Sequence, residues 1–301
     1  MSIISTIRWG AAASLALLLV TACGGGGVGG GGGDSPVVTG SISGSVTKGP
    51  VANATVMAYG IAGGTMGAQL GSATTDASGN FTMTVGTHEG PIMLRVNGGS
   101  YKDEATGATM AMGSGDVMTA VMQAVSPGAS VNGIQVTPLT SMAQARAQQM
   151  AGGMTAANIA AANAAMGNYF MVSDILHVHP MNPLAPGSGA GAGADARNYG
   201  MTLAAMSQYA KSLNMPFSSG MVTLMVSDAS DGMMDGMYGG NRISMSMGGM
   251  MGTGMMASTA GAIGMSTAMA EFIASAANVS GLTPADMAAL MQRLASSTGA
   301  I

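Results

Sequence analysis

The sequence contains few of the residues on which most folds and reactive sites depend. Of its 301 residues, one is Cys, 4% are aromatic and 7% are charged, whereas an average soluble domain has about 25% charged residues. A single Cys excludes a disulfide framework and a zinc site built from cysteines. With nine basic residues against 13 acidic ones, the chain is not a polybasic nucleic-acid binder.

Glycine and methionine take the place of the missing residues. The chain has 49 Gly and 33 Met, a formal net charge of −4 and a mean hydropathy of +0.38. Disorder driven by high net charge and low hydrophobicity is therefore excluded. Because a flexible thioether fills irregular gaps in a core, we expect Met to do much of the packing that Leu does elsewhere.

The first 22 residues predict a signal peptide. Arg8 provides a positive charge, residues 11–20 form an apolar run, and the small residues Thr21 and Ala22 follow it. The apolar run is too short to cross a bilayer, which is typical of an export signal.

The string Val20-Thr21-Ala22-Cys23 resembles the lipobox of bacterial lipoproteins. This resemblance implies cleavage before Cys23, acylation of Cys23 by fatty acids such as palmitate, and, since Gly24 stands where a retention Asp would lie, an outer-membrane location. The alternative is an ordinary secretory signal with a leftover Cys. Residues 23–40 include a long Gly run, which predicts a flexible tether.

Residues 41–136 have the alternation of short β-strands. Ile42, Gly44 and Val46 alternate with polar residues, and similar runs follow up to Val136. Such alternation, with turn residues between the runs, predicts half-buried antiparallel strands. Residues 76–80, with Gly and Asn, predict a tight turn.

Several of these segments resemble the carboxypeptidase regulatory-like module of bacterial envelope proteins. They are Gly44-Ser45-Val46, Gly49-Pro50-Val51, Ala54-Thr55-Val56 and the stretch from Thr75 to Phe81. The resemblance implies a prealbumin-type β-sandwich that acts as a spacer or interaction domain, without peptidase activity. Residues 101–107 and 137–140 also resemble segments of proteobacterial lipoproteins of this layout, which implies no activity.

From residue 137 to residue 301 the apolar spacing becomes helical. Thr137 is the expected N-cap of a helix with Pro138 in its first turn, and further helices are predicted to start near residues 155, 195, 219, 258 and 283, with a Gly/Met-rich insert at 232–257. The predicted fold class is therefore α+β, an N-terminal antiparallel β-sandwich followed by a C-terminal α-helical bundle.

Two groups of residues suggest a soft-metal site. His177 and His179 precede Pro180, which favours an extended segment with both imidazoles on one side, near Asp174 and Met181. The insert carries Met245, Met247, Met250 and Met251 among other methionines, and thioethers select Cu(I). The alternatives are solvated His side chains in a linker and Met residues used for packing or contact.

Other motifs carry less chemistry. Ser45 and Lys48 have the Ser-Xaa-Xaa-Lys spacing, but that motif needs a helix and these residues lie in a predicted strand. Residues 227–236, which include Asp228, fail the EF-hand pattern. We expect Asp103 and Glu104 to lie in a solvated loop.

With no arrangement of acid, base and nucleophile, the sequence favours a non-enzymatic lipoprotein of the cell envelope with a structural or interaction role and no cofactor. Its expected partners are the membrane, through the lipid anchor, and envelope proteins or polymers, with no nucleic acid. The alternative is an envelope protein that binds copper through the Met-rich segment.

Overall fold

A computed structural model of the protein describes residues 39–251 and 253–301. The predicted signal peptide, Cys23 and the Gly run lie outside the described residues. The body of the chain, Val37–Ile301, forms one compact unit. It is a mixed α+β fold, with most strands in its N-terminal part and the helices in its C-terminal part.

The strands are β1 (Gly40–Val46), β2 (Thr55–Ala62), β3 (Thr65–Thr74), β4 (Asn80–Val85), β5 (Gly90–Asn97), β6 (Ser100–Lys102), β7 (Thr109–Ala111), β8 (Val117–Val125), β9 (Ser130–Val136), β10 (Met237–Tyr238) and β11 (Asn241–Arg242). The α-helices are α1 (Pro138–Gln149), α2 (Ala156–Phe170), α3 (Ala194–Ser212), α4 (Ser218–Ala229), α5 (Met265–Ala274) and α6 (Ala288–Ala295). A 3-10 helix spans Met245–Gly248, and a π-helix, Ala260–Gly264, leads into α5.

Two sheets contain most of the N-terminal strands. One has the order β4-β1-β9 and the other β3-β2-β5-β8. Pairing is antiparallel as predicted, except that β1 and β9 run parallel. A parallel pair needs a long crossover, and here the crossover contains all the strands between β1 and β9. The alternation in the sequence could not reveal this pairing because it reports which side chains are buried and not which strands are neighbours.

The two sheets share one apolar core. It includes Ile42 and Val46 of β1, Val56 of β2, Leu94 of β5 and Ala120 of β8, all fully buried. Full burial of a large apolar side chain contributes about 1.5–3 kcal/mol. The period-two pattern therefore identified the buried face of these strands correctly.

The four-stranded sheet buries its other face against helices. Met93 of β5 and Val121 of β8 belong to the same core as Leu139 and Met142 of α1 and Met166 of α2. Because β8 is buried on both faces, six of its nine residues are buried. Met occupies core positions in this half of the fold, as the sequence predicts.

Hydrogen bonds join the start of α1 to β8. Thr137 and Thr140 form a capping box, with Pro138 in the first turn as predicted. The Thr140 hydroxyl donates to the carbonyl of Thr119 at 2.8 Å, and the Thr119 amide donates to Ser141 Oγ at 2.8 Å. The first turn of α1 therefore satisfies backbone groups at the edge of the sheet.

Two helix starts differ from the prediction. Gly193, not Asp195, is the N-cap of α3, since Asp195 in the first turn accepts the amide of Ser173 at 2.9 Å. Near the C-terminus, the Asp286 carboxylate accepts the Thr283 amide at 2.8 Å and forms a turn, and α6 begins only at Ala288. In both places a carboxylate accepts an amide from outside the regular helix, from the distant Ser173 in one case and from the nearby Thr283 in the other.

Candidate functional site

A cluster of charged and hydroxyl side chains lies buried between the strands and the helices. Its members are Lys48, Tyr101, Asp103, Glu104, Ser207 of α3 and Ser218 of α4. Asp103 and Glu104 are each 2% exposed, so the expectation of a solvated loop is wrong. Their carboxylates are buried because each has a partner on another element.

A close contact between two backbone segments brings Lys48 to this cluster. Gly49 has a φ of +60°, and a Cβ added there would lie 2.1 Å from the carbonyl oxygen of Lys102 in β6. Only Gly fits at such a position. The turn after β1 can therefore press against β6, which places Lys48 beside the segment that carries Glu104.

The amine of Lys48 is paired within the protein. Nζ donates to Glu104 Oε2 at 2.8 Å and also to Ser207 Oγ, while the Ser207 hydroxyl donates to the same carboxylate oxygen at 2.5 Å. Nζ also lies 5.3 Å from the centre of the Tyr101 ring, within the range of a cation–π contact.

The electrostatic surroundings keep Lys48 protonated. Burial is the largest effect on the pKa of Lys48 and lowers it, but the charges of Glu104, Tyr101 and Asp103 act together in the opposite direction and raise the pKa above its ordinary value. A protonated lysine cannot accept the proton of the Ser207 hydroxyl. That hydroxyl donates its hydrogen bond to Glu104 instead. Ser207 and Lys48 therefore do not form the arrangement in which a neutral lysine amine accepts the proton of a serine hydroxyl.

The second part of the cluster holds the start of α4. Ser218 Oγ donates to Asp103 Oδ2 at 2.5 Å and lies 2.9 Å from the Tyr101 hydroxyl oxygen, which accepts the amide of Ser219 at 3.1 Å. These oxygens satisfy a free N–H group and place a negative charge at the N-terminal end of a helix, where it is stabilising. We interpret the whole cluster as a structural connection between strands and helices, because its charged side chains are buried and have partners within the protein.

An open cleft of about 680 Å³ lies on the helix-facing side of the four-stranded sheet. Strands β5 and β8 form the floor of the cleft, and α1 forms one wall. The other wall consists of the turn between β2 and β3 and the link between α1 and α2. The lining residues are Gly63, Gly64, Thr65, Met66, Met93, Arg95, Val117, Thr119, Ser141, Gln144, Gln148, Gly152, Gly153, Met154 and Val226. A volume of this size is typical of a site for a small ligand.

Two pairs of glycines close one end of the cleft. The amide of Met154 donates to the carbonyl of Gly64 at 2.8 Å. A Cβ on Gly64 would lie 2.0 Å from the carbonyl oxygen of Gly152, and a Cβ on Gly153 would lie 2.4 Å from that of Gly64. The backbone contact is therefore possible only because both segments lack side chains at these positions.

Arg95 is the cation of the cleft. It lies on β5 two residues from Met93, so the two side chains share the cleft face of the strand. Arg95 is half-buried and, within residues 39–251 and 253–301, has no ion pair or hydrogen bond from its side chain. The lining includes no Asp or Glu.

The two predicted histidines are exposed and have separate partners. Residues 175–177 form a turn, so the extended segment expected there is absent around His177. Nδ1 of His177 lies 2.7 Å from Asp174 Oδ2, and Nδ1 of His179 lies 2.9 Å from the carbonyl oxygen of Pro180. The Asp174 side chain favours the turn, because its Oδ1 accepts the amides of Leu176 at 3.0 Å and His177 at 3.2 Å.

The four predicted methionines of the insert differ in exposure. Met245 is 6% exposed and belongs to the helical core, Met250 packs against that core, Met247 is 52% exposed and Met251 is fully exposed. Part of the insert is therefore used for packing. Over the described ranges, no group of three or more His, Cys, Asp or Glu side chains is arranged to hold a metal ion.

Comparisons with known proteins add little to this picture. No protein-family model matches the chain, and no curated protein matches it. One solved structure to which it has a likeness is a 9R-lipoxygenase from Cyanothece PCC8801, with 15% identity and a TM-score of 0.21 over 34% of this chain and 17% of that one. So low a score carries no argument about fold or function. Within the described part of the chain, no helix is both long and apolar enough to span a membrane.

Sequence reasoning named Lys48 and Glu104 without bringing them together, and it did not single out Arg95 as a site residue. Lys48 and Glu104 are 56 residues apart, and Ser207 is 159 residues from Lys48, so no local motif contains them. Arg95 was visible only as the polar member of an alternating strand. The scarcity of charge was the available signal, since each charged residue in such a chain has a greater chance of a specific role.

Proposed function

We propose that the protein is a non-enzymatic lipoprotein of the bacterial outer membrane that is anchored through acylated Cys23 and uses its folded body to bind other components of the envelope. The motif before Cys23 and the Gly run after it support the anchor. In this arrangement the tether separates the membrane from the compact unit that starts at Val37.

The body is a β-sandwich of the carboxypeptidase regulatory-like type joined to an α-helical bundle. The apolar core shared by the two sheets supports the sandwich, and the common core of α1 to α6 supports the bundle. The buried cluster around Lys48 connects the two parts through an ion pair and hydrogen bonds.

The observation that carries the binding role is the cleft beside Arg95. It is open, holds several thioethers, and includes a cation without a partner in the described chain. Flexible Met side chains suit a contact surface because they adapt to their ligand. Lys48, by contrast, is fully buried, so its amine is not accessible to a ligand.

The anchor is tested by metabolic labelling with a radioactive fatty acid. The parent protein is expected to carry the label and to fractionate with the outer membrane, and Cys23→Ser to lose both properties. Retention of the label by Cys23→Ser would contradict the anchor.

The binding role is tested with a photoreactive group attached in intact cells at position 66. Met66→Cys introduces an accessible thiol, since Met66 is 51% exposed and acylation consumes Cys23. Ile263→Cys is the matched control, because Ile263 is also 51% exposed but lies outside the cleft. We expect light to produce a defined adduct, small or large, at position 66 and not at position 263. Equal adducts at both positions, or none, would contradict binding in the cleft.

A further inference from the structure

The composition of the cleft allows the class of ligand to be inferred. This step rests on the proposed function, because it assumes that the cleft binds something. Three observations bear on the class of ligand. Arg95 is a cation without a partner among the described residues, the buried polar side chains of the lining already have hydrogen-bond partners, and the rest of the surface is apolar.

Arg95 makes the cleft suited to a negatively charged ligand. Its guanidinium projects from a strand into a cleft without carboxylates in its lining. The planar fork of a guanidinium matches the two oxygens of a carboxylate or phosphate. In a partly enclosed space the attraction between the charges is stronger than in bulk water. We therefore expect a ligand of this cleft to carry an oxyanion.

Most buried polar side chains of the lining are already bonded to each other. Gln144 accepts the hydroxyl of Thr119 at 3.1 Å and donates to Gln148 at 2.7 Å. Ser141 Oγ accepts the amide of Thr119 and donates to the carbonyl of Thr137 at 2.7 Å. A ligand with many hydroxyl groups would find few free partners here, which argues against a saccharide.

The rest of the surface is apolar and adaptable. Met66, Met93 and Met154 line the cleft from three different elements, with Val117 and Val226 beside them. Thioethers follow the shape of a ligand without a fixed complementary outline. An alkyl chain meets these conditions, because burial of its surface is favourable and needs no hydrogen bonds.

The geometry points to an amphipathic ligand, an alkyl chain with a single oxyanion head that pairs with Arg95 while the chain lies against Met66, Met93 and Met154. The head is a carboxylate, as in a fatty acid, or a phosphate, as in a lipid fragment. Both share the oxyanion that the guanidinium recognises.

The test is a calorimetric titration of the compact unit Val37–Ile301 with four probes of equal chain length. Decanoate and decyl phosphate carry the oxyanion, decanol is neutral and decylamine is cationic. We expect the two oxyanions to bind at least about tenfold more tightly than decanol, since a charge-assisted hydrogen bond contributes about that factor. The tighter of the two anions identifies the source of the head group.

Substitutions distinguish the effect of the Arg95 charge on binding from an effect on folding. Arg95→Gln is expected to reduce decanoate and decyl phosphate affinity about tenfold or more and to leave decanol within about twofold. Lys102→Gln removes a positive charge from an exposed position outside the cleft. This control is expected to leave the affinities for the two anions and for decanol unchanged. If Arg95→Gln does not fold, Met66→Asp at the exposed rim must weaken anion binding and favour decylamine.

The results also distinguish this inference from the proposed function. Absence of binding by both anions, together with an adduct at position 66 in cells, would overturn the amphipathic ligand and leave the binding role intact. Equal affinity for decanoate and decanol, or unchanged anion affinity in Arg95→Gln, would overturn the role of Arg95.

Discussion

Lys48 Nζ lies 2.8 Å from Glu104 Oε2, and the two side chains are 0% and 2% exposed. This ion pair links the turn after β1 to the segment between β6 and β7, and the Ser207 hydroxyl extends it to α3. A buried ion pair gains little over apolar packing, but its two charges are strongly interdependent. Its effect is best measured by removing the charges separately and together.

Loss of either charge is expected to destabilise the fold. Lys48→Met leaves Glu104 buried without its cation, and Glu104→Met leaves the ammonium group without its carboxylate, so each is expected to lower the free energy of unfolding by about 3–5 kcal/mol. The double variant is expected to recover most of that loss. Urea unfolding followed by circular dichroism measures all four proteins, and single variants that lose under about 1 kcal/mol would mean that the pair is not buried as described.

The sequence predicted this fold unevenly, for physical reasons. Alternation around Ile42 and the capping residues Thr137 and Pro138 identified strands and a helix start, because burial and capping are local. The parallel pairing of β1 with β9 and the contact of Lys48 with Glu104 depend on chain segments that are distant in sequence. Local patterns carry no information about such contacts, so the candidate sites appeared only in the structure.

Asp228 is expected to make stability depend on pH. Its side chain is fully buried, Oδ1 accepts the amide of Gly236 at 2.6 Å, and Oδ2 has no partner among the described residues. Burial, and to a lesser degree the charge of Asp235, raise the pKa of Asp228 to about 7, although the hydrogen bond from Gly236 acts in the opposite direction. The folded state therefore binds this proton more tightly than the unfolded state, whose ordinary value is 3.8.

The direction in which stability changes with pH follows from this difference in proton affinity. The favourable contribution of protonated Asp228 is fully present below about pH 4 and is lost as the pH rises through about 7. Asp228→Asn removes the charge, so its melting temperature relative to the parent is expected to be higher at pH 8 than at pH 5. Asp231→Asn, at an exposed position nearby, controls for the change in net charge. A difference between Asp228→Asn and the parent that is constant from pH 5 to pH 8 would show that Asp228 does not titrate in this range.

Neighbouring glycines in the turn between β2 and β3 provide a matched pair of variants. Gly63 and Gly64 both have positive φ, +57° and +76°. A Cβ on Gly63 would meet nothing within 4 Å, whereas one on Gly64 would lie 2.0 Å from the carbonyl oxygen of Gly152. Alanine is therefore strained at both positions but collides with the backbone only at position 64.

We expect Gly63→Ala to cost about 1 kcal/mol and Gly64→Ala to cost about 1–3 kcal/mol more. Gly64→Ala should also speed hydrogen exchange of the Met154 amide, which donates to the Gly64 carbonyl, and weaken binding in the cleft. Equal effects of the two variants on stability and exchange would mean that the turn does not contact the link between α1 and α2.

Methionine oxidation distinguishes a packed insert from a loose loop. Met247 is 52% exposed and Met251 fully exposed, whereas Met245 in the same segment is 6% exposed and lies in the helical core. Oxidation to the sulfoxide requires access to sulfur and turns an apolar side chain into a polar one. In dilute hydrogen peroxide, peptide mass spectrometry is therefore expected to find sulfoxide at Met251 and Met247 well before Met245, with exposed Met66 as the external reference.

Addition of urea should abolish the difference, because unfolding exposes all of these sulfur atoms. If Met245 reacts as fast as Met247 in the native protein, the insert is not packed against the helices, and its thioethers are free to act as contacts or ligands.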